Sequence, residues 1–221
     1  MNQYTIKKIS DDFNLNGKFN SKDWNNANSL NIDLYQWHDS TSYKTPEVKV
    51  KMLYSNNNLY IRFHIKENYI LAEKTNFQDQ VCEDSCAEFF VSPTTSGYFN
   101  FEVNCIGTIH LHFHEDRHKS TTVSNKDLET IKIATSLPKG IKINNPVTCP
   151  KEGYIVEYSV PFEIFSKYSN SEVPRKNSIW HANFYKCGDL SPEPSWGTWS
   201  PVGTPKPDFH QPKYFGEIIF A

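Results

Sequence analysis

The stretch from Asp84 to Arg117 alternates between apolar and polar side chains, in the sequence DSCAEFFVSP, a short loop and YFNFEVNCIGTIHLHFHEDR. Side chains of a β-strand point alternately to its two faces, so this pattern predicts two or three strands of one sheet. One face carries apolar residues, which require burial: Ala87, Phe89, Val91, Phe99, Phe101, Val103, Ile109, Leu111 and Phe113. The opposite face carries polar residues, which meet either water or a ligand: Glu88, Asn100, Glu102, Asn104, His110, His112 and His114.

The rest of the chain consists of short strand-like runs separated by turns. EVKVKMLYS (47–55) and NLYIRFHIKE (58–67) alternate on either side of an Asn-rich turn, which predicts a β-hairpin with Ile61 on its apolar face. Further strands are predicted at 4–9, 30–34, 131–135, 153–162, 178–188 and 214–220, and a short helix at 163–168. Loops are predicted at 14–26, 35–46, 118–130 and 191–212, with irregular structure at 68–83.

This arrangement predicts an all-β fold. Many short strands with turn signals between them are typical of an antiparallel β-sandwich, here jelly-roll-like. The nine glycines and thirteen prolines suit a chain with many turns. No internal repeat or linker divides the sequence, so residues 1–221 are expected to form a single domain. Trp24 and Trp180 fall in or beside predicted strands and are expected in the core.

Charge and cysteine content exclude several classes of partner. A formal net charge of −2 provides no electrostatic basis for binding nucleic acid or an anionic membrane. The five cysteines are odd in number and form no CxxC pair, which predicts free thiols rather than a disulfide framework. The first residues lack the apolar core of a signal peptide. The expected location is cytoplasmic if the chain is complete, and periplasmic or extracellular if a signal peptide has been removed.

Five segments together resemble the family 9 carbohydrate-binding modules, in particular the stand-alone family 9-like proteins of bacteria that degrade glycans. They are DSCAEFF, YFNFEVNCIGT, HANFYKCGD, the W-x-x-W-x-P of 196–201 and the P-x-x-FGEIIF ending, in the expected order over roughly residues 45–220. The resemblance implies a β-sandwich that binds carbohydrate without catalysis, with calcium bound in several members. It further implies that a sugar chain end is gripped between two Trp rings.

The resemblance also implies where the two clamp rings would lie. One clamp position, six residues before Glu88, is Cys82, and the other, six residues before Phe215, is Phe209. One ring is therefore missing and the other is Phe. Loop residues near the same rim of the sandwich complete this first candidate site, as replacement platforms or polar contacts for sugar hydroxyls: Trp37, Arg117, Asp189, Trp196, Trp199 and His210. The two loop residues Trp196 and Trp199 could equally be buried rings that pin the loop.

The polar sheet face is the alternative carbohydrate site. Glu88, Asn100, Glu102 and Asn104, together with Arg62 and His64, could form a hydrogen-bonding groove, because amides and carboxylates match the donors and acceptors of sugar hydroxyls. An antiparallel sheet can equally leave such a face in water, with cross-strand ion pairs as its stabilising contacts.

Two enzymatic alternatives remain open at this point. His110 and His112 form a His-x-His pair that suits a transition metal, which would indicate a jelly-roll metalloenzyme with Glu115, His64, His181 or His210 as further ligands. Glu88 and Glu102 could instead form the carboxylate pair of a glycoside hydrolase. Asp84 either holds a turn or binds calcium. No nucleophile elbow, phosphate loop or dinucleotide fingerprint is present.

Overall fold

The computed structural model of the protein describes residues 2–38 and 42–221; residues 39–41 of the predicted loop 35–46 therefore lie outside the described residues. The described residues contain two α-helices, α1 (Asn125–Leu128) and α2 (Phe162–Ser169), and three short 3-10 turns (Lys22–Trp24, Val81–Glu83 and Pro212–Tyr214). The strands are β1 (Gln3–Lys8), β2 (Ser29–Ile32), β3 (Glu47–Tyr54), β4 (Asn58–Lys66), β5 (Tyr69–Ala72), β6 (Cys86–Ser92), β7 (Tyr98–Asn104), β8 (Ile109–His110), β9 (His112–His114), β10 (Ser120–Thr122), β11 (Lys132–Thr135), β12 (Ile143–Thr148), β13 (Tyr154–Pro161), β14 (Ile179–Cys187), β15 (Gly197–Thr198) and β16 (Gly216–Phe220).

The strands form two packed layers joined through the N-terminal strand. The first layer has the order β10-β9-β7-β6-β14-β16-β1, and the second has the order β1-β3-β4-β13-β11. Strand β1 belongs to both because its first half pairs with β16 and its last two residues pair with β3. Both pairings of β1 are parallel, whereas the other pairings in these two layers are antiparallel. The predicted all-β sandwich is thereby confirmed.

The core lies between the two layers. Phe89, Phe101, Leu111 and Ile61 are fully buried there, as their apolar strand phase predicts. Aromatic contacts cross the interface, with ring centroids 6.3 Å apart for Phe101 and Tyr158. All nine residues that the alternation assigns to the apolar face of the 84–117 stretch belong to this core. Burying one face of both sheets supplies the main driving force for the fold, because apolar area removed from water stabilises the folded state.

The predicted hairpin is also confirmed. Strands β3 and β4 pair antiparallel in continuous register from Glu47 opposite Lys66 to Tyr54 opposite Leu59. Helix α2 begins directly after Pro161, whose fixed φ suits a helix start, and ends at Asn170 with a left-handed φ of 54°. The two expected core residues Trp24 and Trp180 are buried, at 2% and 4% exposure. No helix among the described residues is long and apolar enough to cross a membrane.

Several short elements differ from the sequence prediction. The segment predicted as irregular contains β5, which pairs with β12, a strand that the sequence pattern did not predict. The predicted loop 118–130 contains β10 and the one-turn helix α1. All three residues of β10 are exposed, and β12 is mostly exposed as well. Such edge strands arise from pairing with a neighbour and carry little hydrophobic alternation of their own.

Arg62 and His64 lie apart from the polar face of the 84–117 strands, which corrects their grouping with Glu88. Both belong to β4 in the second layer. Arg62 stands opposite Glu157 of β13 and forms a buried ion pair with it at 2.7 Å. The Glu157 carboxylate also accepts the backbone N–H groups of Asn16 and Gly17. This pair therefore anchors the N-terminal loop onto the second layer.

Candidate carbohydrate-binding cleft

A cleft of about 440 Å³ opens on the outer face of the first layer, opposite the core. Its floor is the polar face of β6, β7, β8, β9 and β14. The long loop 191–212 and the segment before β6 form its rim. A small apolar cluster, which includes Phe90, Tyr98, Tyr185 and Phe215, holds this loop on the outer face. The cleft is of the size that small ligands occupy in proteins.

The two alternative sites of the sequence analysis meet in this one cleft. The residues that come from the expected rim are Cys82, Arg117, Asp189, Trp196, Phe209 and His210, and those that come from the polar sheet face are Glu88, Asn100 and Glu102. They converge because β6 has β7 on one side and β14 on the other, so the loops at the ends of these strands close over the shared face.

Two glutamates form the polar floor. Glu88 and Glu102 stand directly opposite each other on β6 and β7 and are only 2% and 7% exposed. Burial, and then the charge of Glu102, raises the pKa of Glu88 well above its ordinary value. Burial likewise raises the pKa of Glu102. Both carboxyls are therefore shifted toward their protonated forms, since neither charge is well solvated.

Each glutamate nevertheless has a specific hydrogen-bond donor. The Cys187 thiol donates to Glu88 Oε1 at 2.8 Å, and the Asn100 side-chain amide donates to Glu102 Oε1 at 2.8 Å. The side-chain carbonyl oxygen of Asn100 accepts a hydrogen bond from the backbone N–H of His112. Asn100 thereby links the glutamate floor to the neighbouring imidazoles and fixes its own orientation.

Four imidazoles line one side of the cleft. His110 and His112 stack with ring centroids 4.6 Å apart, and His114 lies 4.9 Å from His210. The pKa values of His114 and His210 both fall to about 4, chiefly through burial, and burial also lowers that of His112. The Tyr98 ring stacks on His114 at 4.9 Å. His112, His114 and His210 are therefore neutral at pH 7. Both ring nitrogens of His114 are buried, so His112 and His210 are the two of these three that can offer a donor or an acceptor to the cleft.

The aromatic rim differs from an open sugar clamp. Phe209 is only 9% exposed, because its ring stacks on the ring of Tyr185 and lies beside that of Trp37, with centroid separations of 4.1 Å and 6.1 Å. Trp196 is half-buried, and its indole N–H donates to Asp189 Oδ1 at 2.9 Å. Trp196 is thus the more accessible ring of the cleft, and the Asp189 contact restrains its orientation.

The rim also carries one ion pair. Arg117 Nη1 donates to the Asp208 carboxylate, which in turn accepts the side-chain amide of Gln211 at 2.6 Å. Arg117 is half-exposed, whereas Asp208 is largely buried. Among the residues that line the cleft, the guanidinium of Arg117 is the one permanent cation, and it is already paired.

Four further residues that the sequence analysis named do not line the cleft. Trp199 is 7% exposed and packs in the core against Phe184. It is therefore a buried ring that pins the loop and not an open platform for a sugar. Trp37 supports Phe209 from behind and donates its indole N–H to Thr204 O. Asn104 donates to Asp84, whose carboxylate also accepts two backbone N–H groups, as expected for a residue that holds a turn.

The predicted His110–His112 metal pair does not acquire a third ligand nearby. Within residues 2–38 and 42–221, one group of three or more potential ligands lies close enough to hold a metal ion, namely Cys86, Glu88 and Cys187. His110 instead places Nδ1 3.1 Å from the carbonyl oxygen of Gln78. No comparison below favours the metalloenzyme or the glycoside hydrolase.

A sequence profile described as carbohydrate-binding family 9 matches residues 19–220. The chain belongs to this family. The expected family and its function, carbohydrate binding without catalysis, are confirmed. The family requires no cofactor. No curated protein matches the chain.

Solved structures resemble this family 9 protein over nearly its whole length. A Bacteroides uniformis ATCC 8492 protein, provisionally described as carbohydrate-binding, is 27% identical, covers 99% of both chains and has a TM-score of 0.85. A family 9 module from Caldicellulosiruptor kristjanssonii in complex with cellotriose is 15% identical, covers 99% of this chain and 93% of its own, and has a TM-score of 0.65. The same organism's module in complex with glucose is 15% identical, covers 98% and 95%, and has a TM-score of 0.64. The similarity to the two modules concerns the fold.

Sequence reasoning missed several residues of the cleft, among them Phe90, Cys187 and Asp208. Phe90 lies on the polar face of β6, two residues after Glu88. An apolar residue at such a position could have indicated the small apolar cluster on the outer face. Cys187 was treated as one of five equivalent thiols. Asp208 lies in a loop, and the sequence contained no signal for its pairing with Arg117.

Proposed function

We propose that the cleft of this family 9 protein binds the end of an oligo- or polysaccharide, with Trp196 as the principal stacking ring. The carrying observation is that an accessible indole and buried hydrogen-bonding groups line one cavity of about 440 Å³. A carbohydrate presents apolar C–H faces and polar hydroxyls, so its site needs both. Cellotriose and glucose, the ligands of the two Caldicellulosiruptor modules, are suitable first probes.

The residues divide into three roles in this proposal. The Trp196 ring packs against a sugar face, and Asp189 holds that ring while its carboxylate accepts from a hydroxyl. Arg117 and Asp208 at the rim offer a donor and an acceptor side by side. The floor carboxyls and the imidazoles bond the hydroxyls that enter deepest, where each bond gains strength from the low dielectric.

The charges of the cleft favour a neutral sugar over an acidic one. Four carboxyl groups line the cavity, whereas its one permanent cation is paired with Asp208. A uronic acid would place a further negative charge near Glu102 and Asp189. Like charges in a buried site cost free energy, so glucuronate should bind much more weakly than glucose.

Calorimetric titration with cellotriose, glucose and glucuronate tests this proposal. Trp196→Ala removes the stacking ring and should weaken cellotriose binding by about 10-fold or more, as expected for loss of a buried aromatic anchor. Arg117→Ala should weaken binding by a smaller factor. The melting temperature should change little in Arg117→Ala, whose side chain is half-exposed, and should fall by more in Trp196→Ala, whose half-buried ring packs against the small apolar cluster that holds the loop.

Phe19→Ala is the matched control, because Phe19 is an exposed aromatic residue (46% exposed) that contacts His64 on the second layer. It should leave affinity unchanged. Full affinity in Trp196→Ala, with cellotriose binding intact in the parent protein, would place the site outside this cleft. Stronger binding of glucuronate than of glucose would contradict the charge assignment.

A further inference from the structure

Two thiols and a carboxylate meet at the cleft floor. Cys86 and Cys187 stand directly opposite each other on β6 and β14, and Glu88 lies on the same face two residues after Cys86. The two Sγ atoms and a Glu88 carboxylate oxygen all lie within 4.8 Å of one another. Cys86, Glu88 and Cys187 are 0%, 2% and 2% exposed. Cys105 and Cys149 lie outside this group.

We propose that Cys86, Glu88 and Cys187 bind one soft divalent ion, with zinc as the best fit, independently of carbohydrate. Zinc takes Cys sulfur at about 2.3 Å and carboxylate oxygen at about 2.0–2.2 Å, so tetrahedral ligands stand roughly 3.5–3.8 Å apart. The three atoms lie within 4.8 Å of one another, and small side-chain shifts, which include a widening of the 2.8 Å contact between Cys187 and Glu88, would reach that geometry. Thiolates select zinc over calcium and magnesium, which prefer oxygen ligands.

The position of the group provides an entry path and an open coordination site. Glu88 and Cys187 both line the cleft, so an ion held between them would face the cavity. Glu102, directly opposite Glu88 on the neighbouring strand, is one candidate for the fourth ligand, and water is the alternative. Three protein ligands with an exchangeable fourth position form a complete zinc site.

Binding exchanges protons for the metal. Cys187 donates its S–H proton to Glu88 at 2.8 Å, so the sulfur is a thiol before the ion arrives. Burial raises the pKa of both thiols, which keeps them protonated at neutral pH. Each thiol, and Glu88 where it is protonated, would release its proton to solvent, and the freed sulfur and oxygen lone pairs would form the bonds to the ion. Affinity should therefore increase with pH.

Cobalt binding to the reduced full-length protein tests the site, because thiolate ligation of Co²⁺ gives a charge-transfer band in the near ultraviolet. One Co²⁺ per chain should bind and be displaced by Zn²⁺. The Cys86→Ser/Cys187→Ser variant should lose more than about 100-fold in affinity, since loss of an outer partner alone costs ~10–100-fold. The matched Cys105→Ser/Cys149→Ser variant, which changes two buried thiols outside the group, should retain the site.

Two further measurements protect the test against misfolded variants. Glu88→Gln keeps the size and an acceptor oxygen, so it should fold normally and bind Co²⁺ at least about 10-fold more weakly. Native mass spectrometry of the unaltered chain should show one zinc bound, and a weakly buffered solution of the protein should acidify as zinc is added. No thiolate band, equal loss of binding in both double variants, or zinc binding that releases no protons into solution would overturn the proposal.

Discussion

Replacing Glu102 by Gln should stabilise the protein at neutral and alkaline pH. Glu102 and Glu88 are buried directly opposite each other, and the pKa values of both are raised. Gln keeps an oxygen that can accept from Asn100, the donor that Glu102 already uses at 2.8 Å. The change therefore removes a charge from the floor while retaining volume and hydrogen bonding.

The magnitude follows when the usual Cβ spacing of opposed residues is taken as the distance between the two charges. Directly opposed residues on antiparallel strands have Cβ atoms about 5 Å apart. Two unit charges at that distance repel by about 3 kcal/mol at an effective dielectric constant of about 20. The full value is reached only when both groups are ionised, and the nearby His110 lowers the pKa of Glu102. We expect a gain of about 1–3 kcal/mol in the free energy of unfolding at pH 8.

The sign of the pH dependence provides the sharper test. A carboxyl with a raised folded-state pKa contributes stability that is present below its unfolded pKa and lost as the pH increases through its folded pKa. The stability difference between Glu102→Gln and the parent should thus be near zero at about pH 4 and grow toward pH 8. Urea denaturation at a series of pH values measures it, with the exposed Glu129→Gln as control. A Glu102→Gln variant that is less stable at pH 8, or a pH-independent difference, would refute this account of the floor.

Two other predictions concern the core and the rim. Phe101→Ala should lower the free energy of unfolding by about 3–5 kcal/mol, because the buried ring packs against Phe89, Tyr158 and Phe165 and its loss leaves a cavity. Urea denaturation measures this loss, and a value below about 1 kcal/mol would contradict the place of Phe101 in the core. Cys82→Trp should supply the ring that the family resemblance expects at this half-buried rim position. Cellotriose binding measured by calorimetry should become up to about 10-fold stronger. Weaker binding with an unchanged melting temperature would show that the added ring blocks the cleft.

Much of the fold could be predicted because alternation encodes which face of a strand is buried. Phe89 and Phe101 were placed correctly from phase alone, and the β3–β4 hairpin from two alternating runs around an Asn-rich turn. Strands β5, β10 and β12 could not be predicted, because their existence depends on partners far away in sequence. The Ile143–Thr148 strand includes Pro146 and is mostly exposed, a pattern that local reasoning assigns to a loop.

The candidate site was predictable in composition but not in arrangement. The polar phase of β6 and β7 correctly located Glu88 and Glu102 on one face, and the family resemblance led to Cys82 and Phe209. Their convergence into a single cleft depends on β14 lying beside β6, a pairing between residues about 95 positions apart that no local pattern records. Burial of Phe209 was missed for the same reason, since the Tyr185 ring that covers it comes from β14.

Cys82 connects the carbohydrate and metal proposals. Its backbone carbonyl oxygen accepts a hydrogen bond from the backbone N–H of Asp189 at 3.0 Å and lies 3.6 Å from the Cys187 sulfur. Cys82 therefore contacts both a rim residue and a floor residue of the cleft. A Trp at this position would occupy the space above Glu88 and Cys187, whereas the small thiol leaves both side chains in contact with the cavity. The residue that stands where the family resemblance expects a clamp ring therefore also leaves open the path to the buried thiols. If both proposals hold, Cys82→Trp should slow cobalt entry while it strengthens cellotriose binding, and Trp196→Ala should weaken sugar binding alone. Parallel changes of both activities in both variants would instead indicate a general collapse of the cleft.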